Sequence, residues 1–205
     1  FDVAVKSFEK AIAIKPDYAD ALTNLGSILY VLGQPNAAVK CYMKALSIEP
    51  EYAEAHNNLG VTLDALGRFE DAEASYNRAL AIAPHFPEAH SNLGDLLTDL
   101  KRLDEALVSY ETAFNLKADI IFLLGKLLHT KMHLCLWDDL SSRLDELQDK
   151  IHNNEKVIPP FPMLGLIDDP ELQRKVTEIF VNKHHPKNHD LPKIGLYPKH
   201  KKIRI

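Results

Sequence analysis

The stretch that decides the fold is residues 53–86, AEAHNNLGVTLDALGRFEDAEASYNRALAIAPHF. The same pattern precedes it at 19–52, with 14 identities in 34 positions, and follows it at 87–120, with 13. Chance would give roughly two identities at ordinary residue frequencies. A repeat of this length indicates stacked supersecondary units, because one unit alone cannot bury its hydrophobic face.

Within one unit the recurring residues follow helical spacing and mark the facing sides of two helices. Gly60 lacks a Cβ, so a second helix carrying Tyr76 can approach closely, which must offset the ~1 kcal/mol that glycine costs a helix relative to alanine. Gly67 falls where a turn favours positive φ, and Pro84 ends the second helix. The recurring columns are Leu25/Leu59/Leu93, Gly26/Gly60/Gly94, Leu29/Leu63/Leu97, Ala38/Ala72/Ala106, Tyr42/Tyr76/Tyr110 and Ala45/Ala79/Ala113.

This period and this Leu-Gly, Ala, Tyr, Ala, Pro pattern resemble the tetratricopeptide repeat. The resemblance implies an all-α fold, a right-handed superhelical solenoid of helix pairs, followed here by a helical connector and an irregular tail. We expect complete repeats at 19–52, 53–86 and 87–120, and the second helix of a truncated repeat at 1–18.

Residues 121–154 keep the length of a helix pair but place Leu128 and Leu140 where glycine and alanine recur. We therefore expect a modified pair whose helices stand further apart and offer an apolar surface to the next segment of the chain. We interpret Trp137 as a core anchor between this pair and the following domain rather than as a platform for a ligand.

Residues 155–205 should form a connector. The prolines of Ile158–Pro162 predict a segment that is not helical through its middle. Asp169 as N-cap and Pro170 at the first position predict a helix over about 169–184. A basic linker comes next, and the alternating Lys202–Ile205 predicts the first strand of a missing domain.

The formal net charge is −5 and is unevenly distributed. Residues 183–205 carry seven Lys or Arg and one Asp, so the preceding repeats are acidic. The tail has Tyr197 as its only aromatic residue, which disfavours nucleic-acid binding. No apolar run approaches the roughly 20 residues of a membrane span. Cys41 and Cys135 form neither a disulfide framework nor a zinc ribbon, which fits a cytoplasmic protein, or a nucleocytoplasmic one in a eukaryote.

LLHTKMHLCLWDDL at 127–140, Pro160-Phe161-Pro162, LIDDPELQ at 166–173 and Lys202–Ile205 carry a second resemblance. They are similar to the junction between the repeats and the catalytic part of O-linked N-acetylglucosaminyltransferases of the SPINDLY type. The resemblance implies a parent enzyme that glycosylates proteins, with UDP-N-acetylglucosamine as donor and a C-terminal glycosyltransferase domain in cis. That family's catalytic residues lie beyond Ile205, so we expect no catalytic residue and no cofactor in this chain.

Asn24, Asn58 and Asn92 precede the Leu-Gly pair in all three repeats and are the candidate substrate-binding residues. An amide both donates and accepts, so it can pair with a peptide backbone without reading sequence. The resemblance agrees, because an asparagine ladder holds substrate backbone in O-GlcNAc transferases. The alternative is that the amides brace adjacent repeats. We interpret the neighbouring polar residues as a solvated face; they are Asp64, Asp95, Thr98 and Asp99.

His129 and His133 are spaced i, i+4, which can hold a metal, but they lack the glutamate of a metalloprotease helix. We interpret them as a structural pair and predict no metal site. A self-contained enzyme is not indicated, since the chain has neither a nucleophile–base pair nor a glycine-rich phosphate loop. The sequence thus predicts a repeat region that recruits protein substrates for O-linked glycosylation and is not catalytic itself; the alternative is a scaffold or adaptor without an enzymatic domain.

Overall fold

A computed structural model describes residues 2–116 and 120–184 of the chain, with side chains up to residue 182. Every regular element in this part is an α-helix, which confirms the all-α fold class. The helices are α1 (Asp2–Ile14), α2 (Ala19–Val31), α3 (Pro35–Ile48), α4 (Ala53–Ala65), α5 (Phe69–Ile82), α6 (Pro87–Asp99), α7 (Leu103–Asn115), α8 (Leu123–His133), α9 (Leu140–His152), α10 (Pro160–Leu166) and α11 (Pro170–His184).

The first nine helices follow the 34-residue period. α2 packs most extensively on α3, α4 on α5 and α6 on α7, and each pair then packs on the helix that comes after it. The pairs are stacked as a solenoid, with one hydrophobic core running from α3 to α8. The recurring alanines and tyrosines of the second helices are all buried. This core contains Ala72, Tyr76, Ala106, Tyr110 and Ala113.

The glycine column lets each tyrosine pack into the backbone of the first helix. A Cβ built on Gly60 would lie 2.7 Å from the Tyr76 ring, and Gly26 and Gly94 stand equally close to their own tyrosines. Real Cβ atoms do not approach a ring so closely, so only glycine fits there. The predicted interdigitation of the two helices is confirmed.

The turns between paired helices use a left-handed residue, as predicted for glycine. Gly33 and Gly67 have φ of 74° and 73°. The third repeat has Lys101 at the corresponding position, and its φ is 62°. A non-glycine residue is uncommon in this conformation, so the turn geometry is imposed by the helix pairing rather than by local preference.

The α8–α9 pair is spread apart, as its bulky residues predict. The two helices contact each other far less than the regular pairs do. A second core fills the space and joins α8, α9, the extended segment 155–159, α10 and α11. The extended segment packs closely on α8 at Gly125, not at residue 128, where the repeat pattern has glycine. A Cβ on Gly125 would lie 2.7 Å from Ile158 and from the Val157 carbonyl oxygen.

One expectation for this region is wrong. The segment 158–162 becomes helical at its middle, since α10 begins at Pro160 and includes Pro162, whereas Ile158 and Pro159 precede the helix. Both helical prolines stand in the first turn, where a backbone N–H has no intrahelical partner and its loss costs nothing. Trp137 is 52% exposed within the described residues, and its predicted packing against a following domain stays a prediction.

The predicted start of α11 is confirmed. Asp169 caps the helix, with its Oδ1 accepting hydrogen bonds from the N–H groups of Glu171 at 2.9 Å and Leu172 at 3.1 Å. The predicted basic linker and the strand at 202–205 lie outside the described residues. None of the helices described here has the length and apolar character needed to cross a bilayer.

Candidate functional site

The first helices of successive repeats form one continuous surface. α2 contacts α4, and α4 contacts α6. α8 joins the row through Lys126, whose Nζ donates to Asp95 of α6 at 2.6 Å. We call the surface formed by α2, α4, α6 and α8 the first-helix groove.

The three candidate asparagines all lie on these helices, but in different surroundings. Asn24 is exposed, whereas Asn58 and Asn92 are half-buried. Asn24 and the Oδ1 atom of Asn92 have no hydrogen-bond partner among the described residues. These amide groups are therefore available to a ligand.

Asn58 and Asn92 are brought together through a residue that the repeat columns do not single out. Asn57, only 5% exposed, accepts a hydrogen bond from Nδ2 of Asn92 at 3.0 Å and donates to Oδ1 of Asn58 at 3.2 Å. Nδ2 of Asn58 continues the chain to the Ser27 hydroxyl at 3.5 Å. The amides thus also link repeats, so the bracing role is present alongside any ligand-binding role.

The buried tyrosines reach the groove with their hydroxyls. The Tyr110 hydroxyl donates to Oδ1 of Asp95 at 2.7 Å, and the Tyr42 hydroxyl lies 3.2 Å from that of Ser27. Burial, followed by the charge of Asp95, raises the pKa of Tyr110, so its proton stays in place as a donor. Asp95 is consequently held between Tyr110 and Lys126.

Carboxylates gather at the α4–α6 part of the groove. Burial raises the pKa of Asp64, and the charges of Asp99 and Asp95 raise it further. The first helices of the three regular repeats contain no Lys or Arg at all. The cation that enters from α8, Lys126, is already paired with Asp95. The groove therefore favours positively charged groups.

A cavity of about 280 Å³ lies where the groove meets the connector. Asp99 and His129 line it from opposite helices, and Pro159 and Pro162 bound it on the connector side. The Nε2 atoms of His129 and His133 are 3.3 Å apart. Within the part of the chain that the structure describes, no group of three or more His, Cys, Asp or Glu side chains could hold a metal.

Two family models, both described as tetratricopeptide repeat, match residues 17–85 and 65–119. Two solved structures of MamA are similar at 22% identity, with TM-scores of 0.65 and 0.63; each match covers 75% of this chain and 90% or 84% of MamA. The first repeat domain of Spaghetti (RPAP3), bound to the HSP90 peptide SRMEEVD, is 25% identical with a TM-score of 0.55, over 57% of this chain and 93% of that one. No curated protein matches the chain in sequence.

Proposed function

Since residues 17–119 of this chain belong to the tetratricopeptide repeat family, we propose that the first-helix groove binds extended segments of other proteins. The observation that carries the proposal is the row of side-chain amides, one per repeat, on helices that lie side by side. Amides pair with the backbone of any extended chain, so the groove accepts many sequences. Each such hydrogen bond contributes about 1 kcal/mol.

Asn24 supports a binding role best. It is exposed and has no hydrogen-bond partner among the described residues, so its amide is open to a ligand. Asn92 also keeps its Oδ1 free there while its Nδ2 holds Asn57. One side chain can therefore stiffen the repeat stack and still accept a hydrogen bond from a ligand.

The test is a binding titration of an unstructured, fluorescently labelled peptide rich in Lys, Ser and Gly. Asn24→Ala should weaken binding about fivefold, the loss of one net hydrogen bond, with no change in melting temperature. The control is Asn36→Ala/Asn77→Ala, because both residues are exposed asparagines on second helices. Equal affinity of Asn24→Ala, Asn58→Ala/Asn92→Ala and wild type would contradict the amide row.

The charge of the groove sets a preference among partners. Asp64, Asp95 and Asp99 face the first-helix groove, and helices α2, α4 and α6 contain no Lys or Arg. Bound segments should therefore carry Lys or Arg. The repeat domain of Spaghetti (RPAP3) is seen with the acidic peptide SRMEEVD. Binding of an acidic carboxylate-bearing peptide needs cationic donors, so SRMEEVD should not bind this groove.

Peptide pairs test the preference directly. The Lys/Ser/Gly peptide should bind more tightly than a Glu/Ser/Gly peptide of equal length and more tightly than SRMEEVD. Salt should narrow the difference, since screening weakens exposed charge interactions. Tighter binding of the Glu/Ser/Gly peptide would contradict the preference for basic segments. The binding role of the asparagines is tested separately by the asparagine variants.

We further propose that the bound segments are presented to a protein O-glycosyltransferase that uses UDP-N-acetylglucosamine as donor. The proposal rests on the resemblance of 127–140, 160–162 and 166–173 to the junction of the SPINDLY-type enzymes. These stretches supply Leu128 and Leu172 to the second core, and Leu166 packs against it. That core gives the end of the repeat stack a rigid body on which a further domain could be oriented.

The test uses the protein together with its downstream coding sequence. It should transfer N-acetylglucosamine to a Lys/Ser/Gly peptide, and Asn24→Ala should lower kcat/KM for the peptide without changing hydrolysis of the free donor. Residues 1–205 alone should transfer nothing. Absence of transfer by the longer protein, with peptide binding retained, would favour the scaffold or adaptor without an enzymatic domain.

A further inference from the structure

α8 presents two imidazoles at the edge of the first-helix groove. His129 and His133 are one helical turn apart, and their rings meet edge to face with centroids 4.4 Å apart and an interplanar angle of 77°. His129 is half-buried in the wall of the groove cavity, and His133 is exposed. Their Nε2 atoms lie 3.3 Å apart, within hydrogen-bond distance of each other.

The sequence alone predicts no metal at these residues, but from the Nε2 separation in the structure we propose that His129 and His133 form an open two-histidine site for a divalent transition metal of the zinc type. A tetrahedral ion with Zn–N bonds of 2.0–2.1 Å separates two ligand nitrogens by about 3.3–3.4 Å. The Nε2 separation in the structure, 3.3 Å, already has this value. Because the rings meet edge to face in the structure, an ion is bound once both rings turn about their side-chain torsions to aim their lone pairs at it, with the helix backbone in place.

The electrostatic surroundings favour a cation at this place. Asp95 and Asp99 line the same cavity, and the positive charge of Lys126 is offset by Asp95. The site thus offers two imidazole donors beside two carboxylates.

The site is open because only two of its ligands come from the protein. No third His, Cys, Asp or Glu stands close enough within the described residues. Two coordination positions are left for water or for a side chain that approaches from the groove. Such a coordination sphere is that of an exchangeable ion rather than of a structural zinc, which is enclosed by four protein ligands.

The competing arrangement is a hydrogen bond between the two neutral imidazoles, one Nε2–H donating to the other Nε2. Metal binding displaces that proton, so metal affinity should fall with decreasing pH as protons compete for both rings. The two-histidine site does not depend on what the groove binds, and its test uses Zn²⁺ alone.

The test is isothermal titration of the 205-residue chain with Zn²⁺ near pH 7.5, followed by Co²⁺ substitution and absorption spectroscopy. We expect one metal ion bound at His129 and His133, and a Co²⁺ absorption spectrum typical of nitrogen and oxygen ligands. His129→Ala and His133→Ala should each weaken this site by about a hundredfold, because two ligands on one rigid helix act as a linked pair. Both variants keep the helix, since alanine favours it.

The matched control addresses the histidines of the basic C-terminal segment. His184→Ala/His185→Ala/His189→Ala/His200→Ala should leave the α8 ion and its Co²⁺ spectrum in place. Loss of all Zn²⁺ binding in this control, or unchanged binding in both His129→Ala and His133→Ala, would overturn the proposal. So would the absence of Zn²⁺ binding by the unmodified chain.

Discussion

At the scale of single residues, the glycine–tyrosine pairs decide how close two helices stand. Gly60→Ala adds a methyl group 2.7 Å from Cδ1 of Tyr76, a ring that is 1% exposed and cannot move away. Overpacking of this kind costs typically about 1–3 kcal/mol, against a gain of about 1 kcal/mol in helix propensity. We expect a net loss in the free energy of unfolding, measured by urea denaturation. A gain would show that propensity outweighs the contact.

Asp64 makes the stability of the folded repeats depend on pH. Its pKa is raised chiefly by burial, then by Asp99 and Asp95, so the folded state binds this proton more readily than the unfolded state. Stability from this group is greatest at low pH and falls as pH rises through its folded pKa. Asp64→Asn should therefore melt above wild type at pH 7, with the difference shrinking towards pH 4. A difference that grows on acidification would contradict the assignment.

The asparagine row could be found from the sequence because it repeats in register with the period. Asn57 could not, because its column holds Thr23 and Ser91 in the other repeats. Its role arises from the offset of α4 against α6, which sets its side chain beside Asn92. Thr23, buried and without a hydrogen-bond partner in the described structure, shows that the same position has a different role in another repeat.

At the scale of elements, position within a helix mattered more than residue type. The repeat helices could be predicted because period, glycine notch and turn residues agree. α10 could not, because Pro160 and Pro162 count as helix breakers by residue type, whereas both stand in its first turn. The repeat pattern places the close-packing glycine at position 128, whereas Gly125 has this role in α8. The sequence could not predict this shift, because it depends on the extended segment that crosses α8.

The docking of that extended segment on α8 can be tested with one methyl group. Gly125→Ala would place a Cβ 2.7 Å from the Val157 carbonyl oxygen, a backbone atom that also accepts the Gly125 N–H at 2.8 Å. We expect α10 and α11 to lose hydrogen-exchange protection while α2–α7 keep theirs. Gly165→Ala is the matched control, because its Cβ would lie 3.4 Å from the flexible end of Met132. Equal protection in the two variants would contradict the close fit.

At the scale of the whole molecule, α8 belongs to both hydrophobic cores. Leu123 and Leu127 pack into the repeat core, and Leu124 and Leu128 into the second core. The same helix carries Lys126 into the groove and His129 into its cavity. A change in the connector can therefore reach the binding surface through one rigid element, and the repeat pattern alone could not predict this coupling.

The central claim is that side-chain amides of the first helices contact the bound polypeptide. NMR of the side-chain NH₂ groups during titration with the Lys/Ser/Gly peptide tests it most directly. We expect saturable shifts for Asn24, Asn58 and Asn92, with the NH₂ groups of Asn36 and Asn77 unchanged. Saturable binding that leaves the first three resonances in place and shifts those on the second helices would contradict it.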